Sequence, residues 1–125
     1  MRVLLAEDSG VMRKIIARAL GSLWIDEVVE AADGVEALEL FGDGSGIDLI
    51  LTDWNMPNMS GLELIQKIRE DGHKIPIMMI TTESEKQKVV QAIQAGVNDY
   101  MVKPFDQEML QMKLRRLLPQ RQQAT

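Results

Sequence analysis

Short apolar runs separated by amphipathic stretches recur along the whole chain, and this alternation restricts the fold more than any other feature. Several runs are continuous rather than alternating, which is typical of strands covered on both faces. The five runs are Val3–Ala6, Val28–Ala31, Ile47–Leu51, Ile77–Ile80 and Tyr100–Val102. Because strand and helix alternate five times, the sequence predicts a doubly wound α/β fold, with a parallel sheet and helices on both faces.

The stretches between the runs carry apolar residues at helical spacing. Val11, Ile15 and Ala19 form one such stripe, as expected for a helix that packs one side against a sheet. Several helix starts match the pattern of a capping box, in which a short polar side chain is followed three residues later by Glu or Gln. These pairs are Asp33 with Glu36, Ser60 with Glu63, and Ser84 with Gln87.

Size and composition favour one compact domain. The chain has 125 residues, of which 46% are hydrophobic and 26% charged, as in ordinary soluble proteins. The absence of cysteine excludes disulfides, thiolate zinc sites and thiol catalysis. The net charge of −5 disfavours nucleic acids and anionic membranes as partners. No apolar run approaches the roughly 18 residues of a membrane span. We therefore expect a cytoplasmic, monomeric domain over residues 1–119 and a short polar tail over residues 120–125.

Polar residues stand at the ends of four of the predicted strands. Glu7 and Asp8 follow the first strand, Asp53 follows the third, Thr81 ends the fourth and Lys103 ends the fifth. In a doubly wound sheet the functional crevice lies beyond the carboxyl ends of the strands. Each residue alone has an ordinary structural explanation, such as capping of the first helix by Asp8. Their joint placement at four strand ends favours a functional site.

The charges of these residues indicate what the site needs. Two like charges about 4 Å apart repel by about 4 kcal/mol at an effective dielectric of about 20. Three carboxylates beside one lysine leave an excess of negative charge that a divalent cation would neutralise. Oxygen ligands select a hard ion, and a site with few protein ligands suits Mg²⁺ better than Ca²⁺. The sequence therefore predicts a magnesium site at Glu7, Asp8 and Asp53.

These residues together resemble the receiver domain of two-component response regulators. Two stretches, Asp53–Leu64 and Ala95–Phe105, are similar to the single-domain receivers of chemotaxis. The resemblance spans Val3–Leu118 and implies a flavodoxin-like (βα)5 fold with strand order 2-1-3-4-5. It also implies a cis peptide bond between Lys103 and Pro104, a conformation that only an X-Pro bond adopts at low cost.

The resemblance implies a role in phosphoryl transfer for several matching residues. Asp53 would accept the phosphoryl group, and Lys103 would pair with that group. Thr81 would form a hydrogen bond with one phosphoryl oxygen. As Thr81 moves, Tyr100 would rotate inward, so that these two residues form the switch.

The resemblance also implies how the metal is held and how the phosphoryl group is lost. Asp8, Asp53 and the backbone carbonyl of Asn55 would bind Mg²⁺, while Glu7 would act through a coordinated water molecule. Asn55 and Glu83 occupy positions that tune hydrolysis through contacts with the attacking water. The extent of that tuning sets the phosphoryl lifetime.

The function implied by the resemblance is a phosphorylation-activated signalling switch in chemotaxis and flagellar motor control. Its partners would be a histidine kinase as phosphodonor, a flagellar motor switch protein or other output protein, and a phosphatase. Such a protein catalyses its own phosphorylation and dephosphorylation without being a turnover enzyme. Two alternatives stay open: the receiver half of a larger regulator or a phosphorelay intermediate, and a Mg²⁺-dependent phosphohydrolase. The phosphohydrolase is disfavoured because Asn55 stands where those enzymes usually carry a second acid.

Overall fold

The computed structural model describes residues 1–21, 23 and 25–118, in which five strands and five helices alternate. The strands are β1 (Arg2–Ala6), β2 (Glu27–Ala31), β3 (Leu49–Thr52), β4 (Ile77–Thr81) and β5 (Asp99–Val102). The helices are α1 (Gly10–Leu20), α2 (Gly34–Phe41), α3 (Gly61–Glu70), α4 (Lys86–Ala95) and α5 (Gln107–Leu117). None of these helices is both long and apolar enough to cross a bilayer. The tail predicted over residues 120–125 lies outside the described residues.

The strands form one parallel sheet in the order β2-β1-β3-β4-β5, which confirms the predicted fold. The central strand is β3, which pairs with β1 on one side and β4 on the other. All four residues of β3 are buried. Because every strand runs in the same direction, all their carboxyl ends lie at one edge of the sheet. We call this edge the C-terminal rim; it is the edge reached after Ala6, Ala31, Thr52, Thr81 and Val102.

The helices cover both faces of the sheet, and each face has its own apolar core. Alternate residues of a strand point to opposite faces, so Leu49 and Leu51 enter one core while Ile50 enters the other. On the first face α1 and α5 pack through residues such as Ile16 and Leu110. On the second face α2, α3 and α4 close the other core. Burial on both faces explains why β1, β3 and β4 contain continuous apolar runs.

The helix starts agree with the sequence at two of the three predicted capping boxes. Ser60 accepts a hydrogen bond from the backbone N–H of Glu63, whose side chain accepts one from the N–H of Ser60. Asp33 caps α2 by accepting from the N–H of Glu36. The box there is incomplete, because the Glu36 side chain accepts from the N–H of Ala32 and not from that of Asp33. The box predicted at Ser84 is wrong, because α4 begins at Lys86 with Glu85 as its N-cap and no side-chain cap. Ser84 therefore stands outside the helix.

Candidate functional site

Three carboxylates converge on the C-terminal rim. Glu7 follows β1 and is 2% exposed, and Asp53 follows β3 and is 9% exposed. Asp8 lies beside them on the exposed side of the rim. One carboxylate oxygen from each residue lies within 4.8 Å of the other two. The structure thus brings together the three acidic residues that the sequence analysis placed at this edge.

The backbone around Asp53 is held closely on both sides. The N–H of Asp53 donates to the carbonyl of Ala6 at 2.9 Å, and its Oδ1 accepts from the N–H of Trp54 at 2.6 Å. The N–H of Gly61, at the start of α3, donates to the carbonyl of Trp54 at 2.8 Å. A Cβ on Gly61 would lie only 1.9 Å from the carbonyl oxygen of Asp53. The sequence analysis did not single out Gly61, although a glycine directly after a capping serine was a visible signal.

Lys103 supplies the positive charge of the cluster. It follows β5 and its Nζ donates to Glu7 Oε1 at 2.5 Å and to Asp53 Oδ2 at 3.0 Å. The three side chains are 10%, 2% and 11% exposed, so the ion pairs are shielded from water. The peptide bond between Lys103 and Pro104 is cis, as the resemblance implied. Lys103 therefore bridges two carboxylates that reach the rim from different strands.

Burial and charge act against each other in this cluster. Burial raises the pKa of the Glu7 carboxyl above its ordinary value, although hydrogen bonds from Lys103 and from the N–H of Ser9 oppose the shift. Burial alone would lower the pKa of Lys103, but hydrogen bonds to Glu7 and Asp53 together outweigh it and raise that pKa. The folded protein therefore favours a protonated Lys103 and disfavours the ionised form of Glu7. An additional cation would relieve the cost of ionising Glu7.

The arrangement fits a small divalent cation. In an octahedral Mg²⁺ site with bonds of about 2.1 Å, neighbouring ligand atoms lie about 3 Å apart and opposite ones about 4.2 Å apart. The three carboxylate oxygens lie within 4.8 Å of one another, which is close to the span of such a site. Their oxygen-only chemistry selects a hard ion. Glu7, Asp8 and Asp53 could therefore hold Mg²⁺, with Lys103 as a neighbouring charge.

Glu83 connects the other residues singled out in the sequence. Its N–H donates to Oγ1 of Thr81 at 3.3 Å, and its carbonyl accepts from the hydroxyl of Tyr100 at 2.6 Å. Its side-chain Oε1 accepts from Nδ2 of Asn55 at 3.1 Å. Thr81 is fully buried at the end of β4, whereas Tyr100 is half-buried. The sequence analysis named all four residues but could not foresee that Glu83 joins the other three.

Tyr100 gives a pH-dependent test of this arrangement. Burial, with added repulsion from Glu83 and Asp53, raises the pKa of the Tyr100 hydroxyl from 10.0 to about 12. Because the folded pKa is raised, the stability that the neutral hydroxyl contributes is present below pH 10.0 and lost as the pH rises toward about 12.

Tyr100 is the only tyrosine in the chain, so tyrosinate absorbance reports this residue alone. We expect its midpoint near pH 12 while circular dichroism shows the folded protein, and near pH 10.0 in concentrated urea. A folded-state midpoint near pH 10.0 would contradict the buried hydroxyl.

Comparison with known proteins gives consistent matches over nearly the whole chain. A sequence model of the family described as "Response regulator receiver domain" matches residues 3–115. The chemotaxis protein CheY1 of Helicobacter pylori is 47% identical over 116 residues, which cover 91% of this chain and 94% of that protein. The chemotaxis protein CheY homolog of Campylobacter jejuni is 45% identical over 120 residues, covering 94% and 92% of the two chains.

A solved structure agrees with these sequence matches. The structure of Vibrio cholerae chemotaxis protein CheY4 aligns with a TM-score of 0.84 at 35% sequence identity. The alignment covers 94% of this chain and 98% of that one. The fold is thus shared with the Vibrio cholerae protein over almost the full length of both chains.

Proposed function

The chain belongs to the response regulator receiver domain family, and from this we propose that it is a phosphorylation-activated switch that accepts a phosphoryl group on Asp53. The phosphodonor is a phosphohistidine on a histidine kinase. The names of its relatives favour a role in chemotaxis, with a flagellar motor switch protein as the target of the phosphorylated form. The observation that carries the proposal is the carboxylate of Asp53, buried at the C-terminal rim between Lys103 and the other two acids.

The transfer step requires a nucleophile and compensation of charge. An aspartate is ordinarily ionised at neutral pH, so a carboxylate oxygen of Asp53 attacks phosphorus without a general base. The P–O bond forms as the P–N bond of phosphohistidine breaks, and the imidazole leaves. Hydrogen bonds from Trp54 and Lys103 orient the carboxylate. Catalysis in such a step comes from positioning and electrostatics rather than from proton transfer.

The product carries more charge than the reactant side chain. An acyl phosphate bears about two negative charges where the carboxylate bore one. Mg²⁺ held by Glu7, Asp8 and Asp53 would supply positive charge that compensates this increase. Nζ of Lys103 lies 3.0 Å from Asp53 Oδ2 and, after its bonds to Glu7 and Asp53, has one further donor hydrogen. The site is therefore suited to a charge that appears only after transfer.

The Glu83 backbone offers a route from the phosphoryl group to Tyr100. Oγ1 of Thr81 accepts from the N–H of Glu83, so the hydroxyl hydrogen of Thr81 is available to donate to a phosphoryl oxygen. Movement of Thr81 toward that oxygen disturbs the Glu83 peptide, whose carbonyl holds Tyr100. Only such a differential contact shifts a two-state equilibrium. We expect the altered surface to be the face formed by α4, β5 and α5.

Mass spectrometry after incubation with a small acyl phosphate tests the proposed chemistry. We expect one added phosphoryl group on the wild type with Mg²⁺, none with a chelator, and none on Asp53→Asn. Asp71→Asn is the control, because Asp71 is an exposed aspartate at the end of α3. Phosphorylation of Asp53→Asn, or metal-independent phosphorylation, would disprove the proposal. Continuous release of phosphate from monoesters would favour the phosphohydrolase alternative instead.

Replacing Thr81 separates phosphorylation from the response to it. We expect Thr81→Ala to be phosphorylated like the wild type but to lose the phosphorylation-dependent change in binding to a flagellar motor switch protein. Pull-down with that protein, with and without acyl phosphate, measures the change. Thr82→Ala is the matched control, since Thr82 is the next residue but is exposed. Unchanged phosphorylation-dependent binding in Thr81→Ala would exclude the Thr81 hydroxyl from the switch.

A further inference from the structure

Arg13, within the first turns of α1, binds the backbone at the end of β1. Its Nη1 donates to the carbonyl oxygen of Glu7 at 2.7 Å. Its Nε donates to Oε1 of Glu30 in β2 at 3.2 Å. The Arg13 side chain is only 23% exposed, so these bonds are partly shielded from water. One guanidinium thus joins α1 to two neighbouring strands at the C-terminal rim.

The carbonyl that Arg13 binds lies just beyond the paired part of β1. Pairing between β1 and β2 ends with Ala6 opposite Ala31, and the N–H of Glu7 still donates to the carbonyl of Ala31 at 3.0 Å. The carbonyl of Glu7 is held by the guanidinium through a charge-assisted hydrogen bond, a type about twice as strong as a neutral one. This carbonyl and the N–H of Asp8 belong to one rigid peptide plane. Arg13 therefore fixes the direction in which Asp8 leaves the strand.

Asp8 depends on its backbone more than the other two acids do. Glu7 and Asp53 are buried, and both accept a hydrogen bond from Lys103. Asp8 is exposed, so packing around its side chain contributes little to its position. We infer that Arg13 is a positioning residue for the magnesium site, which aims Asp8 at the cation by clamping the peptide between Glu7 and Asp8. This inference rests on the proposed function, since it presupposes that the acidic cluster binds Mg²⁺.

Positioning and simple electrostatics predict opposite effects of removing Arg13. A positive charge near a cation site repels the cation, so its removal would tighten binding if charge alone mattered. If the guanidinium orients a ligand, its removal weakens binding. Groups that orient metal-binding residues without contacting the metal contribute about tenfold to a hundredfold in metal affinity. The sign of the change in Kd therefore distinguishes the two explanations.

The decisive measurement is the Kd of Mg²⁺ by isothermal titration calorimetry. We expect Arg13→Met, which keeps an unbranched side chain and removes the guanidinium, to raise the Kd about tenfold. Arg2→Met is a closely matched control. Arg2 donates from Nε to Glu27 of β2 at 2.7 Å and from Nη1 to the carbonyl of Gly46 at 3.0 Å. These bonds lie at the amino-terminal ends of the strands, opposite the C-terminal rim. If Arg13 only stabilised the fold, its replacement would lower the unfolding temperature without changing the Kd. This is the result that we expect for Arg2→Met.

A second variant covers the case in which Arg13→Met does not fold. Arg13→Lys keeps the charge but loses the planar guanidinium, which donates to Glu7 and Glu30 at the same time. We expect its Kd for Mg²⁺ to exceed that of the wild type. A Kd in Arg13→Met equal to or below the wild-type value would overturn the inference. An equal rise of the Kd in Arg2→Met would also overturn it. If only Arg13→Lys folds, the same criteria apply to that variant. A wild type that binds no Mg²⁺ would refute the proposed function as well, whereas normal binding in both Arg13 variants refutes this inference alone.

Discussion

Gly61→Ala should destabilise the protein by about 3 kcal/mol, the upper part of the range for overpacking, and slow phosphorylation of Asp53 by about 100-fold. The added Cβ would lie 1.9 Å from the carbonyl oxygen of Asp53 and 3.1 Å from Oγ1 of Thr52. Both neighbours are buried, so α3 or the loop that carries Asp53 has to move. A displacement of about 1 Å in a reacting group costs about 100-fold in rate.

Gly10→Ala is the matched control for this substitution. Gly10 and Gly61 each occupy the first helical position after a capping serine. A Cβ on Gly10 would meet only Nη2 of Arg13, at an ordinary contact distance of 3.6 Å. We expect Gly10→Ala to leave stability unchanged or to raise it by up to about 1 kcal/mol, because alanine restricts the unfolded chain. Urea denaturation and the rate of phosphoryl incorporation measure both effects. Equal stability and equal rates in the two variants would contradict the close approach at Gly61.

Lys103→Met should lower the free energy of unfolding at pH 7 by about 3–5 kcal/mol, the usual cost of breaking a buried ion pair from one side. The substitution leaves the carboxylates of Glu7 and Asp53 without their shared counter-charge. Both are then forced to take up protons or to repel each other in a buried site. Added Mg²⁺ restores positive charge, so we expect it to stabilise this variant more than the wild type.

The loss of unfolding free energy in Lys103→Met should depend on pH and increase from acidic to neutral pH. The ordinary pKa of a glutamate is 4.5, and burial without Lys103 raises the folded-state pKa of Glu7 further. A raised carboxyl pKa contributes stability that is present below pH 4.5 and lost as the pH rises through the folded value. The difference in the free energy of unfolding between Lys103→Met and the wild type should therefore be smaller near pH 4 than at neutral pH. In the wild type, the contribution of Lys103 is present below pH 10.5 and lost as the pH rises through its raised pKa.

Lys113→Met provides the comparison. Lys113 pairs with Asp99 at 3.2 Å, but the two side chains are 20% and 23% exposed. More exposed pairs contribute at most about 1 kcal/mol. Urea denaturation between pH 4 and 8, with and without Mg²⁺, measures both variants. An equal loss in Lys103→Met and Lys113→Met, or a loss in Lys103→Met that is as large at pH 4 as at neutral pH, would show that Lys103 is not the counter-charge.

The architecture could be predicted from the sequence because strands that are buried on both faces appear in it as short apolar runs. The strand Ile77–Thr81 contains the uninterrupted apolar run Ile77–Ile80, and the helix Gly61–Glu70 begins at a recognisable capping box. Prediction failed at Ser84, where the local pattern of a capping box was present but the helix begins two residues later at Lys86. A cap depends on the path of the preceding loop, which the four residues of the motif do not determine.

The candidate site was predictable in its members but not in its contacts. Parallel strands place their carboxyl ends together, so Glu7, Asp53 and Lys103 could be expected at one edge without knowledge of the coordinates. Which donor meets which acceptor depends on side-chain rotamers and loop geometry. The bond between Lys103 and Glu7 joins residues 96 positions apart. No local sequence pattern indicates that Glu83 bridges three other residues. None indicates that Arg13 donates a hydrogen bond to a backbone carbonyl.

The central position of β3 determines which parts of the protein could respond to the proposed phosphorylation. Its residues are covered by helices on both faces and by strands on both edges, so its amides should exchange with solvent deuterium only through global unfolding. Asp53 follows directly after this strand and is anchored to β1. If Asp53 accepts a phosphoryl group as we propose, the group is added at a fixed point, and a conformational response then has to take place in more peripheral elements. Among these, β5 lies at the edge of the sheet and α4 carries the exposed side chains of Val90 and Ile93.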